Sequence, residues 1–480
     1  MHPQSKIIKY IKDLGVRERE QFYQFVSSPY FNQHDKTREL LDVILANIEH
    51  SKGKLEREPL FKKLFPKEQF DEQKLHNVMS YLKKLYHRFL AQQYFEKQPL
   101  RSQLFTMEAA YESNQFDLLT NRARQLEKVM QQHPHHNGDY HFVNYRFNHL
   151  LGFYSGGYVD RANTEPFQKM LHHLDRYYIL EKLRNCCHLT ANTMLFSTAY
   201  DFGFLEELLA YVQAHLEDFE NDTPILLYYT ILMTMREESD PAHYDRLKAI
   251  LSHKTDRLTA DEGYDLYNFA NNYCIRQIKQ GNSQYQRELF NLYQQGISGE
   301  LMLNNGLISE WDYKNIITLG CSLKEFEWTE HFINDYKDKL LAARRENAYN
   351  YNLANFYYNK KLYDKALEVL RDVQFTDVTY HLNTTFIQLR IYYDLRDTEA
   401  FHGLIETFRI YVIRNRKITT VEKKGYTNLL RFAKSLASLK FNATTFSKKI
   451  LEEKLLALRK KIETTDNVIN KQWLLEECKG

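Results

Sequence analysis

At 480 residues, the chain is too long for a single compact core, so it forms either several domains or a stack of repeating units. Only 16 glycines and 9 prolines interrupt it, which leaves long stretches of helix-forming residues and few tight turns. Its 43% apolar and 26% charged residues exclude a disordered chain. The sequence therefore predicts an all-α protein.

The net charge of +3 conceals three blocks of different sign. Residues 1–100 carry a net charge of +5, residues 101–413 carry −11 and residues 414–480 carry +9. Such a separation influences self-association and the choice of partner rather than the fold.

The sequence indicates neither a membrane span nor secretion. Its longest apolar stretch, residues 225–233, is far shorter than the ~20 residues that cross a bilayer. The first residues contain no apolar segment followed by a cleavage site. Five cysteines form no CxxC pair, and an odd number in a long chain indicates reduced thiols. We therefore expect a soluble, cytoplasmic protein.

Residues 1–100 are predicted to form an N-terminal helical block of their own. Apolar residues recur at helical spacing before Gly15 and again up to Val26, and Pro29 forces a break after the second helix. A short helix, a turn and a long helix follow over residues 59–95. That order also fits a helix-turn-helix DNA reader, although packing within a bundle produces the same pattern and is favoured.

From residue 101 to residue 480 the pattern becomes an array of antiparallel helix pairs. Turn signals recur roughly 15 to 25 residues apart, which is the length of one helix and its turn. The clearest hairpin lies at residues 347–373, and a second lies at residues 380–414.

The hairpin at residues 347–373 has the packing pattern of a known repeat. Small residues such as Ala366 let two helices approach, and larger apolar residues fill the space around them. The segment Leu362-Tyr363-Asp364-Lys365-Ala366-Leu367 resembles a tetratricopeptide repeat, and a shift of 34 residues aligns Ala366 with Ala400. The resemblance implies an α-α superhelix of helix hairpins. It is incomplete, because Val378 and Gln388 replace the usual helix-ending proline and a second small residue.

The opening block carries a second resemblance. Phe22-x-x-Phe25 is followed by Ser28-Pro29-Tyr30-Phe31-Asn32, with a helical tail behind it. This arrangement resembles an uncharacterised bacterial family of tetratricopeptide-like proteins, and it implies architecture alone, since no activity is attached to that family.

A concave groove for a protein or peptide partner is the first functional hypothesis, because stacked hairpins curve and their first helices line the inner surface. The residues predicted to face it form one stripe, namely Tyr351, Asn355, Tyr358 and Asn359. Asn355 stands where peptide-binding tetratricopeptide repeats often have an Asn that bonds the ligand backbone. Tyr351 stands where repeats that clamp a free carboxylate have Lys, so an apolar or helical ligand is favoured. The alternative is that both tyrosines pack against the next hairpin.

Binding of nucleic acid through the basic ends is the second functional hypothesis. The alternative is a solvated cationic face, which the acidic middle of the chain favours because it repels a phosphate backbone. The residues of the predicted patch are Arg414, Arg416, Lys417, Lys423, Lys424, Arg431 and Lys434.

No residue set forms a catalytic or cofactor signature. His133, His135, His136 and His141 lack a metal-ligand spacing such as HExxH, so a polar loop is favoured over a metal site. The adjacent Cys186-Cys187 pair points to different faces of a helix, which favours buried, unreactive thiols over a nucleophile. The sequence contains neither a phosphate loop nor a GxSxG elbow. We therefore expect a non-catalytic protein without cofactors.

Overall fold

A computed structural model describes residues 6–50, 55–155, 164–196, 199–237, 240–253, 255–373 and 378–479. Within these ranges the chain forms 23 α-helices and four short 3₁₀ helices, and its one β-bridge, between Asn304 and Leu307, belongs to no strand. The all-α prediction is confirmed. None of the described helices combines the length and the apolarity that crossing a bilayer requires.

Contacts divide the chain into two compact units, one of Met1–Cys186 with Phe202–Ile225 and one of Cys187–Asp201 with Leu226–Gly480. The helices that begin in the first unit are α1 (Lys6–Asp13), α2 (Val16–Ser27), α3 (Asp35–Glu49), α4 (Arg57–Leu64), α5 (Glu72–Glu96), α6 (Pro99–Glu112), α7 (Phe116–Gln131), α8 (Gly138–Ser155), α9 (Glu165–Phe196), α10 (Leu205–Ala214) and α11 (Thr223–Arg236). Those of the second unit are α12 (Pro241–His253), α13 (Ala260–Lys279), α14 (Tyr285–Ser298), α15 (Glu310–Ser322), α16 (Phe326–Asp335), α17 (Arg345–Asn359), α18 (Tyr363–Arg371), α19 (Val378–Asp394), α20 (Thr398–Arg414), α21 (Thr420–Phe441), α22 (Lys448–Thr464) and α23 (Lys471–Glu477).

The opening motif forms a folded turn on the core of α1 to α5. Phe25 stacks on Phe31 with ring centroids 4.0 Å apart, and the side chain of Asn32 donates a hydrogen bond of 2.8 Å to the carbonyl of Val26. That bond satisfies a carbonyl near the end of α2, where the helix has no partner of its own. The motif therefore ends α2 and turns the chain toward α3. The compact unit that contains residues 1–100 continues to Cys186.

One type of turn, different from the one after α2, ends the first helix of five hairpins. In each turn, the N–H after a left-handed residue donates to the carbonyl five residues earlier, at 2.8 to 3.0 Å. The five hairpins are α6/α7, α13/α14, α15/α16, α17/α18 and α19/α20. The left-handed residues are Asn114, Gly281, Lys324, Lys361 and Arg396. Four of these five residues have a Cβ atom, although the left-handed conformation costs such a residue roughly 1 to 2 kcal/mol.

These turns correct the predicted repeat register. Lys361 and Arg396 are 35 residues apart and occupy equivalent positions in consecutive hairpins. Burial agrees, because Ala366 and Phe401, also 35 residues apart, both have no exposed surface. The predicted shift of 34 residues is therefore wrong by one, and Ala400, which it paired with Ala366, is partly exposed. The predicted shift paired Ala366 with Ala400 because both are alanines. The turn, and not the residue type, determines which positions face the partner helix.

Lys361 offers a test of the turn, because its backbone is left-handed at φ 60° and its side chain is exposed. Lys361→Gly removes the clash of Cβ with the backbone, and we expect it to stabilise the protein by roughly 1 kcal/mol. Lys361→Ala retains Cβ and should give no such gain. Thermal unfolding of the two variants measures the difference. Equal melting temperatures in Lys361→Gly and Lys361→Ala would contradict the assigned conformation.

Candidate functional site

The predicted partner-binding stripe lies on α17, and α19 covers most of it. Tyr351, Asn355 and Tyr358 are each 8% exposed, so the expectation that they are accessible is wrong. Asn359 is partly exposed, and its side-chain amide donates to the carbonyl of Asn355 at 2.7 Å. A role of these four residues in partner binding stays a prediction.

Packing against the next hairpin accounts for the two tyrosines. The hydroxyl of Tyr358 donates to the Asp394 carboxylate at 2.8 Å, and the guanidinium of Arg390 lies 4.1 Å from the centre of its ring. Tyr351 makes an edge contact with Tyr380, with ring centroids 6.0 Å apart. Asp394, Arg390 and Tyr380 all belong to α19, so these tyrosines join two neighbouring first helices.

Tyr358 tests whether this packing stabilises the fold. Tyr358→Phe removes the hydrogen bond to Asp394, and we expect it to destabilise the protein by about 1 kcal/mol, since Tyr363 also donates to that carboxylate at 3.1 Å. Tyr357→Phe is the matched control, because its hydroxyl has no hydrogen bond within the described part of the chain, and it should change stability by less than ~0.5 kcal/mol. Thermal unfolding measures both. Equal losses would show that the Asp394 bond contributes nothing.

A small pocket lies beside Tyr351, where the first helices α15, α17 and α19 meet. Its volume is about 60 Å³. Trp311 stands at its edge with 60% of its surface exposed. Glu310 holds the outer helices together, because it accepts a hydrogen bond of 2.8 Å from Tyr380 and pairs with Arg344. The pocket is therefore a built feature of three successive hairpins. Its lining residues are Glu310, Trp311, Lys314, Tyr351, Asn352, Thr379, Tyr380 and Asn383.

Asn352 gives this pocket an unused hydrogen-bond acceptor. Its side chain is 1% exposed, and its Nδ2 donates to the carbonyl of Ala348 at 2.8 Å. Its Oδ1 is buried and has no hydrogen-bond partner within the described part of the chain. A buried acceptor left unpaired costs about 1 to 3 kcal/mol, and this one belongs to a residue that lines a pocket, so a group that supplied an N–H or O–H to it would recover that cost.

Lys314 adds an unpaired cation. Its ammonium lies 5.9 Å from the ring centre of Trp311 and 5.6 Å from that of Tyr351, and it forms no ion pair with any described residue. Burial lowers the pKa of this amine. The pocket thus combines one acceptor, one cationic donor and one exposed aromatic face. These groups match a peptide segment, which offers backbone N–H and C=O groups together with apolar side chains.

The sequence missed Trp311, Lys314 and Asn352 as a site because the first two lie on α15 and Asn352 lies on α17, 38 residues beyond Lys314. The nearest prediction was the partner-binding stripe on α17, because Asn352 directly follows Tyr351 in the sequence.

The predicted basic patch lies around the end of α20 and along α21. Six of its seven residues are exposed, while Lys423 is partly buried and donates to the carbonyl of Ile413 at 2.9 Å. Two of them, Arg431 and Lys434, line a groove that also contains Lys454 and Lys461 of α22. The other five do not line that groove, so the predicted patch is divided.

The histidines join a polar cluster in the first unit. His133, His135 and His136 precede α8, whereas His141 is 1% exposed within α8, so the loop prediction is wrong for His141. Its Nδ1 lies 3.1 Å from Nδ1 of His173, and its Nε2 lies 3.5 Å from the Asp222 carboxylate. Among the described residues, the one group with metal-ligand geometry is elsewhere and consists of Glu237, Asp240 and His243.

His173 makes the first unit sensitive to acid. Burial, together with the smaller effects of His141, His172 and Arg176 and against the opposing effect of Asp222, lowers the pKa of His173 to about 3. The unfolded chain, with an ordinary pKa near 6.5, binds a proton as the pH falls below that value, while the folded chain does not. Stability is therefore lost between pH 6.5 and pH 3.

We expect the free energy of unfolding to fall by about 1 kcal/mol between pH 7.5 and pH 5.5 through His173, allowing for solvent screening of a partly exposed ring. Urea unfolding at both pH values measures the change. His173→Gln removes this titration and should reduce the pH dependence, whereas His87→Gln, at an exposed position of α5, should leave it unchanged. An equal reduction in both variants would contradict the assignment.

All five cysteine side chains are buried. The thiol of Cys187 donates to the carbonyl of Tyr228 at 3.2 Å. Burial raises the pKa of Cys274 to about 11 and that of Cys321 to about 12. A thiol with a raised pKa is a poor nucleophile, so these residues act in packing.

Comparison with known protein families, curated proteins and solved structures finds no match to this chain.

Proposed function

We propose that this protein is a non-catalytic scaffold, a tetratricopeptide-like array of helix hairpins that binds a protein or peptide partner. The partner segment would lie across the first helices α15, α17 and α19. On the cysteine pattern we propose a cytoplasmic location.

Three features of the structure support a repeat array. The turn with one left-handed residue recurs in five hairpins, and in the second unit it recurs at Gly281, Lys324, Lys361 and Arg396, spaced 43, 37 and 35 residues apart. In addition, α15 contacts α17 and α17 contacts α19, so successive first helices are neighbours. Gly320 lies so close to Thr329 of α16 that a Cβ at that position would overlap its hydroxyl. Close helix pairs of this kind are typical of repeat proteins.

The observation that carries the proposal is the unpaired Oδ1 of Asn352, a residue that lines the pocket beside Trp311 and Lys314. A bound peptide backbone would supply the missing N–H to Asn352 and a carbonyl to the Lys314 ammonium. Trp311 would cover an apolar side chain of the peptide, because an exposed indole offers a large surface that loses little entropy on binding.

A displayed library of random peptides tests this function with the full-length protein. We expect selected peptides to bind Trp311→Ala at least tenfold more weakly, since a buried aromatic anchor contributes more than 1 kcal/mol to many interfaces. Tyr94→Ala is the matched control, because Tyr94 is an aromatic residue with 66% exposure in the first unit, and its loss should not change binding. Fluorescence anisotropy of a labelled selected peptide measures the affinities. Selected peptides that bind Trp311→Ala as tightly as the parent would reject the groove.

A further inference from the structure

A second, chemically different groove lies in the C-terminal part of the second unit. Residues of α20, α21 and α22 line it, and its volume is about 960 Å³, within the size range of ligand-binding clefts. It shares no residue with the pocket beside Trp311.

The charge of this groove is entirely positive. Arg431 and Lys434 line it from α21, Lys454 and Lys461 line it from α22, and no described Asp or Glu is among its lining residues. All four cations are exposed.

Internal partners leave most of this charge uncompensated. Lys434 lies 3.6 Å from Glu406, a surface pair that contributes little. Arg431 lies over the ring of Phe432 and Lys454 over the ring of Phe446, contacts that orient a cation without neutralising it. Arg431, Lys454 and Lys461 form no ion pair with any described residue. The groove therefore offers three unneutralised cations to an anion.

The arrangement of the cations fits a polyanion. Arginine can bind a phosphate in a paired geometry, and lysine binds it as a point charge. The exposed residues Lys424, Arg431 and Lys434 continue the charge along one face of α21, over about 15 Å from Lys424 to Lys434 at 1.5 Å per residue. A row of that length fits a chain of phosphates better than a single phosphate group.

Cations and partly exposed rings line the groove together. Phe432 is 5% exposed, whereas His402 and Phe441 are partly exposed. Proteins that bind single strands combine cations along the backbone with rings on which bases stack. A cleft between helices that tracks a backbone with cations is the arrangement used for single-stranded nucleic acid. We propose that this groove binds the phosphate backbone of single-stranded nucleic acid without preference for sequence. The function relies on Lys454 and Lys461, which lie outside the basic patch predicted from the sequence.

The test compares two double variants of the full-length protein that lose the same charge from the same helix. Lys454→Gln/Lys461→Gln removes two cations from the groove, and Lys448→Gln/Lys449→Gln removes two exposed cations at the start of α22, outside it. Fluorescence anisotropy with a labelled 12-nucleotide oligo-dT, over a series of salt concentrations, measures affinity, and circular dichroism melts verify that both variants are folded. All four side chains are exposed, so we expect both to fold.

We expect the groove variant to bind at least tenfold more weakly at low salt and the control variant less than threefold. The slope of log affinity against log salt should become shallower by about 1.4 in the groove variant, since each phosphate contact on a single strand contributes about 0.7. Equal weakening by the two variants, or no binding of oligo-dT by the parent protein, would overturn the proposal. So would tighter binding of a duplex of the same length, or equally effective competition by polyglutamate of matched charge.

Discussion

The fold of the second unit depends on one backbone constraint, the turn that ends the first helix of a hairpin. A left-handed residue and a hydrogen bond from the following N–H to the carbonyl five residues earlier stop the first helix and direct the chain into the second. The turn determines which face of each helix meets its partner. It therefore explains why Ala366 and Phe401 occupy equivalent buried positions although one side chain is small and the other large.

The periodic features of the fold could be predicted from the sequence. Apolar spacing indicated the helices, and the Thr-x-x-Glu sequences that begin at Thr259 and Thr419 are a local signal for the capping boxes at the starts of α13 and α21. The register of the hairpins could not be predicted in the same way. Glycine is the usual signal of a left-handed turn, and three of the turns in the second unit use Lys324, Lys361 and Arg396 instead. Lysine and arginine at those positions carry no turn signal that a single sequence reveals.

The candidate site, like the fold, could be predicted from the sequence only in part. The stripe on α17 was predicted as an array of accessible side chains, but α19 covers most of it, because helical spacing specifies a face of one helix and not what lies against that face. The pocket beside it brings together side chains from helices that are far apart in sequence, and its most informative atom, Oδ1 of Asn352, is informative only because it lacks a partner. Such a property exists only in the folded chain. The same holds for the groove that joins Arg431 and Lys434 to Lys454 and Lys461.

Both proposed sites use groups that the fold leaves unsatisfied, which distinguishes them from the aromatic packing elsewhere in the protein. The tyrosines Tyr351 and Tyr358 contact residues of α19, whereas the acceptor of Asn352 has no hydrogen-bond partner among the described residues.

The central claim is that a partner protein or peptide occupies the pocket formed by α15, α17 and α19. Photo-crosslinking in the native cell tests it most directly, with a photoreactive amino acid at Asn383, which lines the pocket, or at Glu368, which is exposed on the second helix α18. The account predicts a discrete crosslinked partner from position 383 that is absent from position 368. No adduct at position 383, or the same adducts from both positions, would contradict it.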